Sequence, residues 1–136
     1  MVYLTRRERF NAAHKLWVKE WSEEENLAVF GKCANKNWHG HNYELFVTVK
    51  GEPDPQTGFI MDVKKLGKLV KEKIVSKVDH SNLNLDVDFL PKNIQPTTEN
   101  LVIYFWKELE SHITGCQLHS IRLHETENIY AEYFGE

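Results

Sequence analysis

The stretch His41-Asn42-Tyr43-Glu44-Leu45-Phe46-Val47-Thr48-Val49-Lys50 decides the fold class. Tyr43, Leu45, Val47 and Val49 alternate with Asn42, Glu44, Phe46 and Thr48, and a period of two marks a strand with two different faces. Upstream, residues 2–13 mix polar and apolar side chains with an extended bias, which predicts another long strand ending near His14. Between the two, Ser22 and Glu25 have the spacing of a capping box for a short helix that Gly31 ends. Downstream, Pro53-Asp54-Pro55-Gln56-Thr57-Gly58 is a turn. The period then changes. Val63, Leu66, Leu69, Val70, Ile74 and Val78 recur at helical spacing behind an Asp62 cap, with lysines on the other side. Residues 83–96 look irregular. Thr97-Thr98-Glu99-Asn100 opens a second helix to about residue 112, with Leu101, Val102, Tyr104, Phe105 and Leu109 as its apolar stripe. Two strands, near 117–126 and 128–135, close the chain around a turn at Glu127-Asn128.

The order strand, strand, helix, helix, strand, strand predicts an α+β fold. Its core is a four-stranded, mostly antiparallel sheet with both helices on one face. The alternation alone leaves open which face of strand 2 is buried. Long strands 1 and 2 would expose backbone groups, and joining sheets into a barrel would pair them. At 136 residues the chain is expected to be one domain, 1–136, able to bury a core unaided. No apolar run reaches the length of a membrane span, and residues 1–7 lack a signal-peptide stretch, so a cytoplasmic location is expected. Two cysteines, Cys33 and Cys116, make no disulfide framework. A net charge of −3 argues against general nucleic-acid binding. It leaves room for an anionic small molecule held in a local basic pocket.

The chemistry-bearing residues gather around His39-Gly40-His41. On an extended strand both imidazoles point to one face. Cys33 lies six residues upstream and His14 ends the earlier strand. Three imidazoles with an open position make a catalytic zinc arrangement. The alternatives are a zinc that only staples the two strands, or Cys33 as a fourth ligand closing the site.

These segments occur in an order that resembles one family. They are Phe10-Asn11-Ala12-Ala13-His14, Phe30-Gly31-Lys32-Cys33, His39-Gly40-His41-Asn42-Tyr43 and Gly58-Phe59-Ile60-Met61-Asp62. Asp79-His80-Ser81-Asn82-Leu83, Pro96-Thr97-Thr98-Glu99-Asn100 and Glu125-Thr126-Glu127-Asn128 follow. Together they resemble the 6-pyruvoyltetrahydropterin synthase family, which includes the 6-carboxytetrahydropterin synthases of queuosine biosynthesis. The resemblance implies the tunnelling fold, in which sheets of three subunits join into a barrel and two trimers stack as a hexamer. It implies a zinc-dependent lyase acting on 7,8-dihydroneopterin triphosphate, with no redox cofactor and with neither membrane nor nucleic acid as partner.

Carried over residue by residue, the resemblance makes His14, His39 and His41 the zinc ligands and Cys33 the general base. A nearby cation would lower that thiol's pKa. Asp79 and His80 become an acid–base pair, although Asp-His after a helix also suits a C-terminal cap. Glu125 anchors the pterin, whose ring N–H and exocyclic amine are two parallel donors for one carboxylate. Thr98 and Glu99 border the pterin pocket, or merely cap the second helix. Cys116 matches no motif. Seventeen cationic residues single out none for the triphosphate. Five residues separate Cys33 from His39, as in the pyruvoyl-forming members, and Trp38 departs from the small residue common before His-Gly-His. The pyruvoyl-forming reaction is therefore expected, with the 6-carboxy reaction as the alternative and a silent zinc and pterin binder as the remote one.

Overall fold

Two extended runs form the spine of the protein. A computed structural model describes residues 1–136. β1 (Val2–His14) and β2 (His39–Gly51) pair antiparallel in unbroken register, from Val2 opposite Gly51 to His14 opposite His39. β4 (Gln117–Thr126) joins the other side of β2, with a register shift at Thr48/Val49, and β5 (Ile129–Tyr133) pairs with β4. Thr126 and Ile129 flank the turn at Glu127-Asn128, as expected. Tyr43, Leu45, Val47 and Val49 are buried, which settles the face the alternation left open.

Helices cover that face. In α2 (Val63–Val70) the Asp62 carboxylate accepts the Lys64 N–H at 2.8 Å. The helix widens into a π-helical stretch, Lys71–Val75, before ending as α3 (Ser76–Val78). Leu66, Val70, Ile74 and Val78 recur every four residues, which is slower than an α-helical turn. A wider turn keeps the later ones on the buried side, and all four are fully buried. In α4 (Thr98–Leu109) Thr97 caps by accepting the Asn100 N–H. Leu101, Val102, Phe105 and Leu109 pack from it onto the sheet as one core with Phe10, Leu45 and Leu123.

Three features differ from the expected plan. A fifth strand, β3 (Ser81–Asn82), runs parallel to β1 beside Ala12 and Ala13, and two residues are too few to carry a period in sequence. The strand order is β3-β1-β2-β4-β5. A third helix, α1 (Glu23–Phe30), stands where the capping pair put a short helix, so the fold has more than two helices. Finally, β2 is a central strand. The open edges belong to β5 and to the part of β1 that β3 leaves uncovered, so the sheet does not close within one chain and a barrel needs further copies. No helix is long and apolar enough to cross a membrane.

Candidate functional site

Register brings the imidazoles together. His14 faces His39 across the β1–β2 pair, and His41, one pleat period along, faces Ala12. All three side chains therefore project to the helix-covered face. His14 is 1 % exposed, and its Nδ1–H donates to the Pro96 carbonyl at 2.9 Å. That bond fixes the tautomer and leaves Nε2 as a buried lone pair with no partner. His39 Nε2 and His41 Nε2 lie 2.9 Å apart. Burial lowers the pKa of both rings. For His39 the His14 ring adds to this and Glu125 opposes it; for His41 Glu125 opposes first, and His14 and His39 add. The neutral imidazole is thus favoured, which is the form that binds metal.

Cys33 arrives on a 3₁₀ turn, Gly31–Ala34, directly after α1. Gly31 has φ 57° and ψ −130°, a conformation open to glycine, and it redirects the chain toward the imidazoles. Fully buried Asn26 holds this loop from inside. Its side chain accepts the Val18 N–H at 2.7 Å and donates to the Val18 and Ser22 carbonyls. The Leu16 N–H closes onto the Cys33 carbonyl at 2.8 Å. Cys33 Sγ then sits 3.6 Å from His39 Nε2. Its pKa is raised by burial and secondly by Glu125. The polypeptide alone thus pushes the thiol the opposite way from the sequence expectation, which rested on a cation beside it.

Glu125 completes the cluster from β4. One carboxylate oxygen lies 2.9 Å from His41 Nε2, and the other accepts the Thr98 hydroxyl at 2.7 Å. Thr98 is buried at the first turn of α4, so its hydroxyl positions the carboxylate. Glu99 is exposed in the same turn and has no polar partner, which leaves it as an acid favourable to the helix dipole. Trp38 is half-buried with φ 68°, in the turn before β2.

Asp79 and His80 pair with each other, Asp79 Oδ2 to His80 Nδ1 at 3.1 Å. Asp79 also accepts the Asn11 N–H at 2.9 Å, which is the largest cause of its lowered pKa, and the His80 N–H bonds the Asn11 carbonyl. Neither residue has a polar contact with the imidazole cluster. They stand at the β3 side of β1, across that strand from β2, and the His80 side chain is 77 % exposed. With Asn11, Ala13, Gly40 and Asn42, His80 lines a groove of about 350 Å³. Asn11 and Ala13 alternate with the buried Phe10, Ala12 and His14, so their side chains belong to the opposite sheet face.

The donor set fits a metal. His14, Cys33 and His39 offer ligand atoms all within 4.8 Å of one another, as do His14, His41 and Glu125. Tetrahedral zinc with Zn–N bonds of about 2.0–2.1 Å holds its nitrogens roughly 3.4 Å apart, so the two Nε2 atoms, now at 2.9 Å, would have to part slightly to admit it. The unpartnered His14 Nε2 is the buried atom that such an ion would satisfy. Cys116 is remote, with Met61 as its sulfur neighbour. Sequence reasoning missed three contributors. Pro96 acts through its backbone carbonyl, which residue type does not mark, Asn26 lies outside the family segments, and Tyr43 was given no role beyond its place on the strand. Its place two residues after His41, on the same face, was the available signal.

The whole chain has known counterparts. The family model "6-pyruvoyl tetrahydropterin synthase" matches residues 3–136. A 6-pyruvoyl tetrahydrobiopterin synthase of Pongo abelii is 44% identical over 133 residues, 98% of this chain and 91% of that protein. The solved structure of Caenorhabditis elegans 6-pyruvoyl tetrahydropterin synthase superposes with a TM-score of 0.90 at 38% identity, covering 99% of this chain and 96% of that one. A 6-carboxy-5,6,7,8-tetrahydropterin synthase of Rickettsia typhi is more distant, at 26% identity over 97% of this chain and 99% of its own.

Proposed function

The chain belongs to the 6-pyruvoyl tetrahydropterin synthase family, and from that premise we propose that it is a lyase that expels triphosphate from 7,8-dihydroneopterin triphosphate to give 6-pyruvoyltetrahydropterin. One observation carries the reading: three imidazoles converge beside a thiol and a carboxylate already aligned by Thr98.

His14, His39 and His41 would hold zinc. When bound, zinc supplies Lewis acidity toward the substrate's side-chain oxygens and acidifies the neighbouring C–H groups. Cys33 removes a carbon-bound proton, its sulfur set 3.6 Å from His39 Nε2 at the edge of the cluster. Glu125 accepts the pterin's paired N–H groups on its two oxygens, one of which also accepts the Thr98 hydroxyl. The Asp79–His80 pair would return protons to the substrate. Because β1 separates it from Cys33 in one chain, each Cys33 pocket takes its pair from a neighbouring copy. This requirement and the open edges of the sheet support a homo-oligomer, a hexamer of two trimers. Light scattering that gives a 16.0 kDa monomer would rule it out.

The spacing from Cys33 to His39 and the higher identity to pyruvoyl-forming relatives support the pyruvoyl product over the 6-carboxy one. The test is mass spectrometry of the product formed from the triphosphate substrate. A retained three-carbon diketo side chain is expected. A 6-carboxy product with acetaldehyde would reassign the chain to the other branch, and no product would make it a silent binder.

A further inference from the structure

Three buried side-chain polar atoms in the protein lack a hydrogen-bond partner: His14 Nε2, His39 Nδ1 and the Tyr43 hydroxyl. Two belong to the imidazole cluster. The third has no part in the mechanism above. Tyr43 is 1 % exposed, and its ring is held on both sides, stacked on Phe10 at 4.8 Å and edge-on to His41 at 5.6 Å. A phenylalanine would make the same ring contacts. The hydroxyl therefore adds a desolvation cost with no return inside the chain.

Its position suggests what returns the cost. Tyr43 shares a strand face with His39 and His41. Glu44 pairs with His124, so Tyr43 stands level with Glu125 on the adjacent strand. After burial itself, the groups that bear on the phenol are Glu125 and Cys33, the proposed pterin anchor and the proposed base. Neither is within hydrogen-bond reach. A pterin seated on Glu125 spends its donor edge there. The ring also carries acceptors, a carbonyl and imine-type nitrogens, and these need donors in a buried pocket.

We propose that the Tyr43 hydroxyl is a substrate-contacting hydrogen-bond donor, bonding an acceptor atom of the reduced pterin ring when Glu125 holds its donor edge. The proposal rests on the pterin reading above and adds a residue to it. Tyr43→Phe tests it in the intact, metal-loaded oligomer, with 7,8-dihydroneopterin as the probe because it lacks the leaving group. The expected result is unchanged metal content, a Tm equal to or above wild type, and dihydroneopterin binding weakened about tenfold, the worth of one hydrogen bond. Tyr104→Phe, a half-buried phenol on α4, should leave every readout at wild type. Binding and turnover within about twofold of wild type, with a raised Tm, would overturn the proposal by making the hydroxyl idle. A lowered Tm with lost metal would overturn it by making the hydroxyl structural. Wild-type protein that does not bind dihydroneopterin would instead sink the pterin reading.

Discussion

At the scale of single residues, the proposed site separates into groups assigned to hold a metal, move a proton and seat a ring, and each should fail in its own way. His39→Ala should lose metal, because it removes an Nε2 from the 2.9 Å pair. Cys33→Ala should keep its metal while turnover falls about 10²–10⁴-fold, the usual worth of a general base. Cys116→Ala is the control. Metal analysis that finds Cys33→Ala emptied in proportion to its lost activity would make the thiol a ligand. Thr98→Val keeps the shape and removes the 2.7 Å bond to Glu125. It should weaken pterin binding by about 1.5–3 kcal/mol, the range for a hydrogen bond to a charged group, without loss of metal.

Acid should also act through the imidazoles. Burial lowers the pKa of His39 and His41 from 6.5, so between that value and the depressed folded ones the unfolded chain binds more protons. Their contribution to stability is complete above about pH 6.5 and is lost as pH falls through the folded values. Thermal melts of metal-free protein should therefore be flat above neutrality and fall on mild acidification. A Tm that rises in that window would contradict the burial seen here. The imidazole and thiol types were legible in sequence because ligand chemistry is confined to few residues. The direction of the thiol's shift was not, since it depends on burial and on Glu125, ninety-odd positions away in the chain.

At the scale of elements, Gly31 shows how a backbone position can govern chemistry without touching it. A Cβ there would meet nothing within 4 Å, so the cost of Gly31→Ala is purely conformational. Strain of about 1–3 kcal/mol should lower Tm. It should also cut turnover, because the 3₁₀ turn carrying Cys33 starts at this residue. Unchanged kinetics would show that the thiol is placed by Asn26 and the Leu16 bond alone. The same element was readable in advance from Ser22, Glu25 and Gly31. So were β2, from strict alternation, and α2 and α4, from their stripes and caps. What escaped was β3, too short for a period, and the π-helical stretch, whose four-residue spacing passes for an ordinary amphipathic helix. Strand order escaped as well. Nothing local in β2 says that β4 will cover its second edge.

At the scale of the whole molecule, the proposed roles of Cys33 and of the Asp79–His80 pair, set apart by β1, would make activity a property of assembled copies. Cys33→Ala and His80→Ala chains should each be inactive alone. Co-assembled, they should regain activity, since some pockets then combine an intact thiol with an intact pair from the neighbour. Mixed oligomers that stay inactive would place the pair's work, if any, within its own chain.

The long β1–β2 register has a consequence for the growing polypeptide. His14, Cys33, His39 and His41 all precede the end of β2, whereas Thr98 and Glu125 belong to its last third. Chains emerge N-terminus first, so the strand pair that aligns the imidazoles can form while α4 and β4 are still unmade. On the metal reading proposed above, the nascent chain would bring its metal donors together before the pterin anchor exists. Under that reading, the yield of working protein would depend on metal supplied during synthesis rather than after release.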